Sequence, residues 1–342
     1  PCQGNFFLFF ILRIGELLGG QNKMPNLIEP NLYLGDLNDA VALKSSNELD
    51  MKFVFSVGYF PTLDKVSKLT YHHIEVADLP SEDLLSHFDS AYDFISDNLS
   101  KGAPILVHCY HGMSRSATIV IAYLMKHHKL DVTTAFDRVK SCRDVICPND
   151  GFMHQLELYG RMHCALDLNF PPYKLYRLKK LSQIVKDVRL VPSSQCELIK
   201  TDPGLASNRP NPNVYKCKKC RRVLFTVNNT LGHNRGEKFT WKTVTDTPHS
   251  GAAGTGVEGD GADRETQPCA DKIFIEPLAW MKDVKTCPSG KLTCPRCNFK
   301  LGSYSWIDYC VCTCGTKIFP FFYATPSKID FDNVVKNVQV TV

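Results

Sequence analysis

From Asn31 to His163 the apolar positions alternate between two spacings. Leu32-Tyr33-Leu34, Phe53-Val54-Phe55-Ser56-Val57 and Pro104-Ile105-Leu106-Val107-His108 are short apolar runs of strand length. Leu84, Leu85, Phe88, Ala91, Tyr92, Ile95 and Leu99 recur instead at helical spacing, and Gly102 stands where a C-terminal cap would sit. Residues 117–128, 131–141 and 149–163 predict three further helices, the first apolar enough to lie on a sheet. Strands alternating with helices imply an α/β unit with a parallel-type central sheet flanked by helices.

Near residue 165 the pattern changes. Pro171-Pro172 opens a basic, amphipathic stretch from Tyr173 to Val191, and residues 192–213 are rich in Pro, Ser and Asn, a composition expected of a flexible linker. From Tyr215 onward cysteine pairs dominate, and residues 246–268, rich in Gly, Ala and Asp, predict a disordered insert. The expected division is a leader (1–24), an α/β unit (25–165), a basic segment and linker (166–213), a small β-rich cysteine-bearing unit (214–325) and a tail (326–342). Phe6 to Leu12 is strongly apolar, but Arg13 and Glu16 end it well short of the roughly 20 residues that span a bilayer. No basic region precedes it, so the expectation is a natural start at Met24, residues 1–23 being upstream read-through, and no membrane association.

Composition narrows the class. With 44% hydrophobic and 22% charged residues, wholesale disorder is excluded. A formal charge of +5 favours acidic partners only mildly, without the dense basic stripe of a dedicated nucleic-acid binder. Of the 15 cysteines, six form short pairs, Cys217/Cys220, Cys294/Cys297 and Cys312/Cys314, which read as metal ligands better than as disulfides. An odd total leaves a free thiol, and a reactive one needs a reducing compartment, so cytoplasm and nucleus are expected.

The chemistry concentrates in His108-Cys109-Tyr110-His111-Gly112-Met113-Ser114-Arg115-Ser116, where Cys109 and Arg115 are separated by five residues between a strand and a helix. Amides of a tight loop and a helix N-terminus converge on one point and favour negative charge there, which suits both a phosphate and a thiolate. Gly112 lets the backbone turn closely. Arg115 offers a planar fork for two phosphate oxygens. Ser116 is placed to donate to the departing sulfur, and His108 to orient the loop.

At these residues the chain resembles the dual-specificity protein phosphatases, whose signature is His-Cys, five residues, then Arg-Ser or Arg-Thr. The likeness covers about 25–165. It implies that Asp78, 31 positions before Cys109 in Ala77-Asp78-Leu79-Pro80, protonates the leaving oxygen, with Glu75, Glu82 and Asp83 as the other nearby acids. Asn149-Asp150-Gly151-Phe152 and Gln155-Leu156 match the opening of the family's last helix, Asn149 as its cap and Phe152 and Leu156 beneath the active-site loop. Tyr110 and His111 occupy variable loop positions.

Downstream, Cys217, Cys220, His233, Cys269, Cys294, Cys297, Cys312 and Cys314 supply eight ligands, enough for two closed, structural Zn²⁺ sites, with no metal needed for catalysis. Cys287 and Cys310 are spare, Cys310 competing with Cys312. Tyr215 to Arg222, Ile275 to Met281, Leu301 to Trp306 and Cys314-Gly315 resemble the zinc domain of the type 12 subgroup, although the insert at 246–268 departs from the pattern and leaves the pairing of Cys269 with the first cysteines open. That subgroup implies a part in assembling the large ribosomal subunit, for which five basic residues within Lys216 to Arg222 offer either a patch for a pre-ribosomal particle or rRNA, or a solvated rim. Two functions follow as expectations: an enzyme acting on phosphoproteins, and an assembly or docking factor with dispensable turnover. Phosphotyrosine, phosphoserine, phosphothreonine, RNA 5′-phosphate and phosphoinositides all suit the loop.

Overall fold

The structure, a computed structural model, describes residues 24–43, 50–59, 69–205, 211–232 and 271–333. The expected leader up to residue 23, the insert at 246–268, His233 and Cys269 lie outside the described residues. Two units divide the chain, Pro1–Leu166 and Asp167–Val342.

In the first, the described elements run β1 (Asn26–Glu29), β2 (Leu32–Gly35), α1 (Leu37–Ala42), β3 (Phe53–Val57), β4 (Thr70–Ile74), α2 (Phe88–Ser100), β5 (Ile105–His108), α3 (Arg115–His128), α4 (Val132–Cys142) and α5 (Asp150–Arg161). The sheet order is β1-β2-β5-β3-β4. Strands β2, β5, β3 and β4 pair in parallel, whereas β1 folds back on β2 as an antiparallel edge, turning through Asn31 in the left-handed region (φ 67°). The sheet is therefore mixed rather than wholly parallel.

Central strands flanked on both sides by pairing partners need apolar residues throughout, and β5 is buried at all four positions. Helix α3 is buried from Arg115 to Met125 and packs on α2, α4 and α5, so it reads as apolar all round rather than as a stripe. Each fully buried Leu, Ile or Val of this layer contributes about 1.5–3 kcal/mol. Asp89 ties the helices together, accepting from Lys126 Nζ at 2.6 Å, the Tyr159 hydroxyl at 2.7 Å and Leu166 N at 2.9 Å. Burial raises its pKa, but these donors outweigh it and hold the carboxyl below the ordinary range.

The second unit begins with α6 (Pro171–Val188), followed by β6 (Asn213–Cys217), β7 (Val223–Thr226), β8 (Ile273–Phe274), β9 (Ser289–Thr293), β10 (Lys300–Ser305), β11 (Cys310–Val311), β12 (Lys317–Ile318), β13 (Phe321–Ala324) and β14 (Ile329–Asn333). They form antiparallel sheets in the orders β8-β13-β10-β9, β14-β6-β7 and β11-β12. Two expectations change here. The amphipathic stretch forms α6, whose Leu178, Leu181 and Val185 are buried in the same core as Trp306, Tyr304 and Phe322, and the expected linker at 192–213 is ordered in part, with Leu198 and Ile199 buried in that core. The Pro, Ser and Asn content of 192–213 hides the few apolar positions that decide its burial. Lys174 is buried too, its ammonium bonded to Asn228 O at 2.6 Å and Glu276 Oε2 at 3.2 Å. The expected tail likewise contributes structure, since β14 pairs with β6 along its whole length.

Candidate active site and metal centre

Cys109 follows the last residue of β5, at the carboxyl end of the parallel strands, where open α/β sheets hold their ligands. It is 3% exposed. Its Sγ accepts from Gly112 N at 3.2 Å and from Ser116 Oγ at 3.1 Å, so sulfur sits inside the loop rather than in the core. Gly112 has φ 65°, and a Cβ there would lie 2.5 Å from Gly35 O, so both the turn and the close approach require glycine. His108 is buried, its Nδ1 3.3 Å from Cys109 O, and burial pushes its pKa down to about 4. A neutral imidazole holds the loop there at physiological pH. Tyr110 and His111 stack edge to face, and Tyr110 and Met113 are exposed at the mouth.

Arg115 opens α3, and Asp78 reaches it from the loop after β4 with Oδ2 3.7 Å from Arg115 Nε. Arg115 NH1 donates to Val76 O at 3.3 Å, which aims the fork. Asp78 Oδ1 accepts from Ser114 Oγ at 2.7 Å and from Asn149 Nδ2 at 2.9 Å, while Asn149 N donates to Ser114 Oγ at 3.2 Å. Asn149 also caps α5 through Phe152 N at 3.0 Å, and Phe152 and Leu156 are fully buried. Gln155 Oε1 accepts from Leu84 N and Leu85 N, each at 2.8 Å, and its amide donates to Glu82 O. The acid loop is thus fastened to α5 at several points. Gly151 permits this closeness, since a Cβ there would lie 2.1 Å from Pro80 O.

Three elements therefore bring Cys109, Arg115 and Asp78 to the start of α3, where Ser116 bonds the sulfur and Ser114 the carboxylate. Two contributions were invisible in the sequence. Asn149, expected as a helix cap, also grips Asp78, and Arg143, at the end of α4, donates to two carbonyls of the Cys109 loop, Gly112 O from Nε at 2.9 Å and His111 O from NH2 at 3.4 Å. Neither partner is near in sequence.

In the second unit Cys217, Cys220, Cys294 and Cys297 bring one sulfur each within 4.8 Å of the others. Both pairs use the same turn. Arg221 N donates to Cys217 O and Asn298 N to Cys294 O, and Arg221 and Asn298 share positive φ values of 62° and 55°. Cysteine recurrence in the sequence is thus a structural repeat. The first pair meets Cys294 and Cys297, a pairing that the sequence leaves open. Sulfurs lie 3.7 Å apart in Cys217···Cys297 and 3.5 Å in Cys220···Cys294. Zn–S bonds of about 2.3 Å separate tetrahedral sulfurs by about 3.8 Å, so the donor set fits such an ion. Burial raises the thiol pKa of Cys217 and Cys294, and four thiolates packed this closely would repel one another without a cation. Cys312 and Cys314 lie outside this cluster, in a turn closed by Gly315 N to Cys312 O at 2.9 Å. Glu29, His127 and His128 also come together, but the carboxylate is already bonded to His128 and Arg138.

No helix among the described residues is long and apolar enough to cross a membrane. Residues 32–162 match the family described as dual specificity phosphatase, catalytic domain. Over 92% of its length the chain is 33% identical to dual specificity protein phosphatase MPK-4 of Drosophila melanogaster, covering 89% of that protein. Dual specificity protein phosphatase 12 of Mus musculus is 32% identical, with 89% of this chain and 87% of that one aligned. Tyrosine-protein phosphatase YVH1 of Saccharomyces cerevisiae is 26% identical over 87% of this chain and 89% of its own.

Proposed function

This chain belongs to the dual-specificity protein phosphatases, in their type 12 subgroup, and on that footing we propose that it hydrolyses phosphotyrosine and phosphoserine or phosphothreonine in proteins through a phosphocysteine at Cys109. The observation that carries this reading is the placement of Cys109 Sγ, which accepts from Gly112 N and Ser116 Oγ beside the Arg115–Asp78 pair. The thiolate attacks phosphorus in line as the bond to the leaving oxygen breaks. Asp78 gives that oxygen its proton, and Arg115 with the loop amides of Tyr110 to Ser114 holds the remaining oxygens. Water then attacks the phosphocysteine, Asp78 takes the water's proton, and sulfur leaves as a thiolate bonded to Ser116. No metal takes part in either step.

Replacing Asp78 by Asn tests the proton assignment. The variant should lose about 10²–10⁴ in rate on an alkyl phosphate and far less on an activated aryl phosphate, whose oxygen leaves without a proton. Equal losses on both substrates would assign Asp78 a structural role.

The four-cysteine cluster is proposed to hold a structural Zn²⁺, with His233, Cys269, Cys312 and Cys314 remaining as the donors for a second. The second reading is a docking role in large ribosomal subunit assembly, in cytoplasm and nucleus. Exposed Lys218 and Lys219 favour it. The other three cations of that stretch do not add to an RNA-facing charge, because Lys216 pairs with Asp332, Arg221 with Asp330 and Asp332, and Arg222 with Asp202. Phosphatase chemistry is therefore the primary reading.

A further inference from the structure

The carbonyls of the Cys109 loop are held from outside the phosphate site. Tyr110 O accepts from Leu37 N at 3.2 Å, His111 O from Arg143 NH2 at 3.4 Å, Gly112 O from Arg143 Nε at 2.9 Å and Met113 O from Cys147 N at 2.9 Å. In a trans peptide the C=O and the following N–H point in opposite directions. Each outward carbonyl therefore turns the next amide inward, and Gly112 N, which follows His111 O, is the one found on Cys109 Sγ.

Arg143 supplies two of these four restraints from one side chain. It is 6% exposed, and NH1 is fixed by Asn26 Oδ1 at 2.7 Å, while Asn26 Nδ2 donates to Cys142 O at 2.9 Å. Asp36 Oδ2 stands 4.0 Å from NH2 and balances the buried charge. A planar guanidinium can serve Gly112, His111 and Asn26 together, which a single ammonium cannot.

We infer that Arg143 is a positioning residue for the phosphate reaction: it presets the Gly112 and Met113 amides to receive an oxyanion, without touching substrate. Preset donors give up no energy to reorganisation when charge develops, so their loss weakens oxyanion binding and turnover together. This rests on the phosphocysteine reading of the same loop.

Inhibition of the full-length chain by vanadate tests the inference, because an inhibition constant does not depend on the folded fraction. Arg143→Met should raise that constant by about tenfold or more and lower kcat, with Arg143→Lys in between, restoring one carbonyl contact only. Asn26→Leu, which leaves Arg143 present but unanchored, should shift it the same way by less. A wild-type inhibition constant in folded Arg143→Met would overturn the inference, as would one in Asn26→Leu if the arginine variants do not fold. Failure of the wild-type chain to bind vanadate would instead overturn the reading of the loop as a phosphate site.

Discussion

Replacing Cys109 by serine is expected to lower turnover of a phosphotyrosine peptide by about 10⁴-fold or more while leaving the peptide bound. An alcohol at that position is a poorer nucleophile than a thiolate, and two donors aimed at sulfur, Gly112 N and Ser116 Oγ, do not make a serine hydroxyl ionise. Binding survives because Arg115 and the loop amides are untouched. Kinetics beside equilibrium binding of the same phosphopeptide check both halves. A serine variant that keeps a tenth of the rate would rule out the sulfur nucleophile.

The second large effect concerns the four sulfurs. Replacing Cys294 by Ser should remove one zinc ion from each chain that otherwise carries about two, and unfold the second unit. Cys294 is buried in the core that includes Trp306 and Phe322, and its turn repeats that of Cys217, so one lost ligand releases both turns. Structural zinc in small domains is worth about 10–16 kcal/mol, more than a typical domain's whole stability. Hydrolysis of a small aryl phosphate should persist, because the Cys109 site draws none of its described contacts from these residues. Elemental analysis, thermal unfolding and an aryl phosphatase assay on the full-length variant measure the three outcomes. Unchanged zinc content would contradict the cluster as the metal centre, and aryl phosphatase activity lost with the metal would contradict the separation of the two chemistries.

What the sequence revealed follows the range over which each device acts. The loop from His108 to Ser116 was legible because nucleophile, turn glycine and helix start are neighbours in the chain. Helices α4 and α5 were legible from period and caps, with Asp131 and Asn149 bonding the third amide on. Asp78 became visible only through family likeness, since nothing local distinguishes it from Glu75, Glu82 or Asp83. Arg143 and the second role of Asn149 depend on partners 31 to 117 positions away, which no periodicity reports. The partners of Cys217 and Cys220 stay open in the sequence for the same reason, as they lie 80 and 74 positions on. Segment 192–213 differs for another reason: its Pro, Ser and Asn content points to a flexible link, whereas Leu198 and Ile199 are buried in the core of the second unit.

The proposed reaction turns on a covalent phosphoryl group on the Cys109 sulfur. A full-length chain mixed with a ³²P-labelled phosphotyrosine peptide, quenched within the first turnover and digested, tests it directly. Label is expected on the peptide containing Cys109, rising before inorganic phosphate appears and absent in Cys109→Ser. Phosphate released with no label ever attached to the protein, or label attached elsewhere than Cys109, would contradict it.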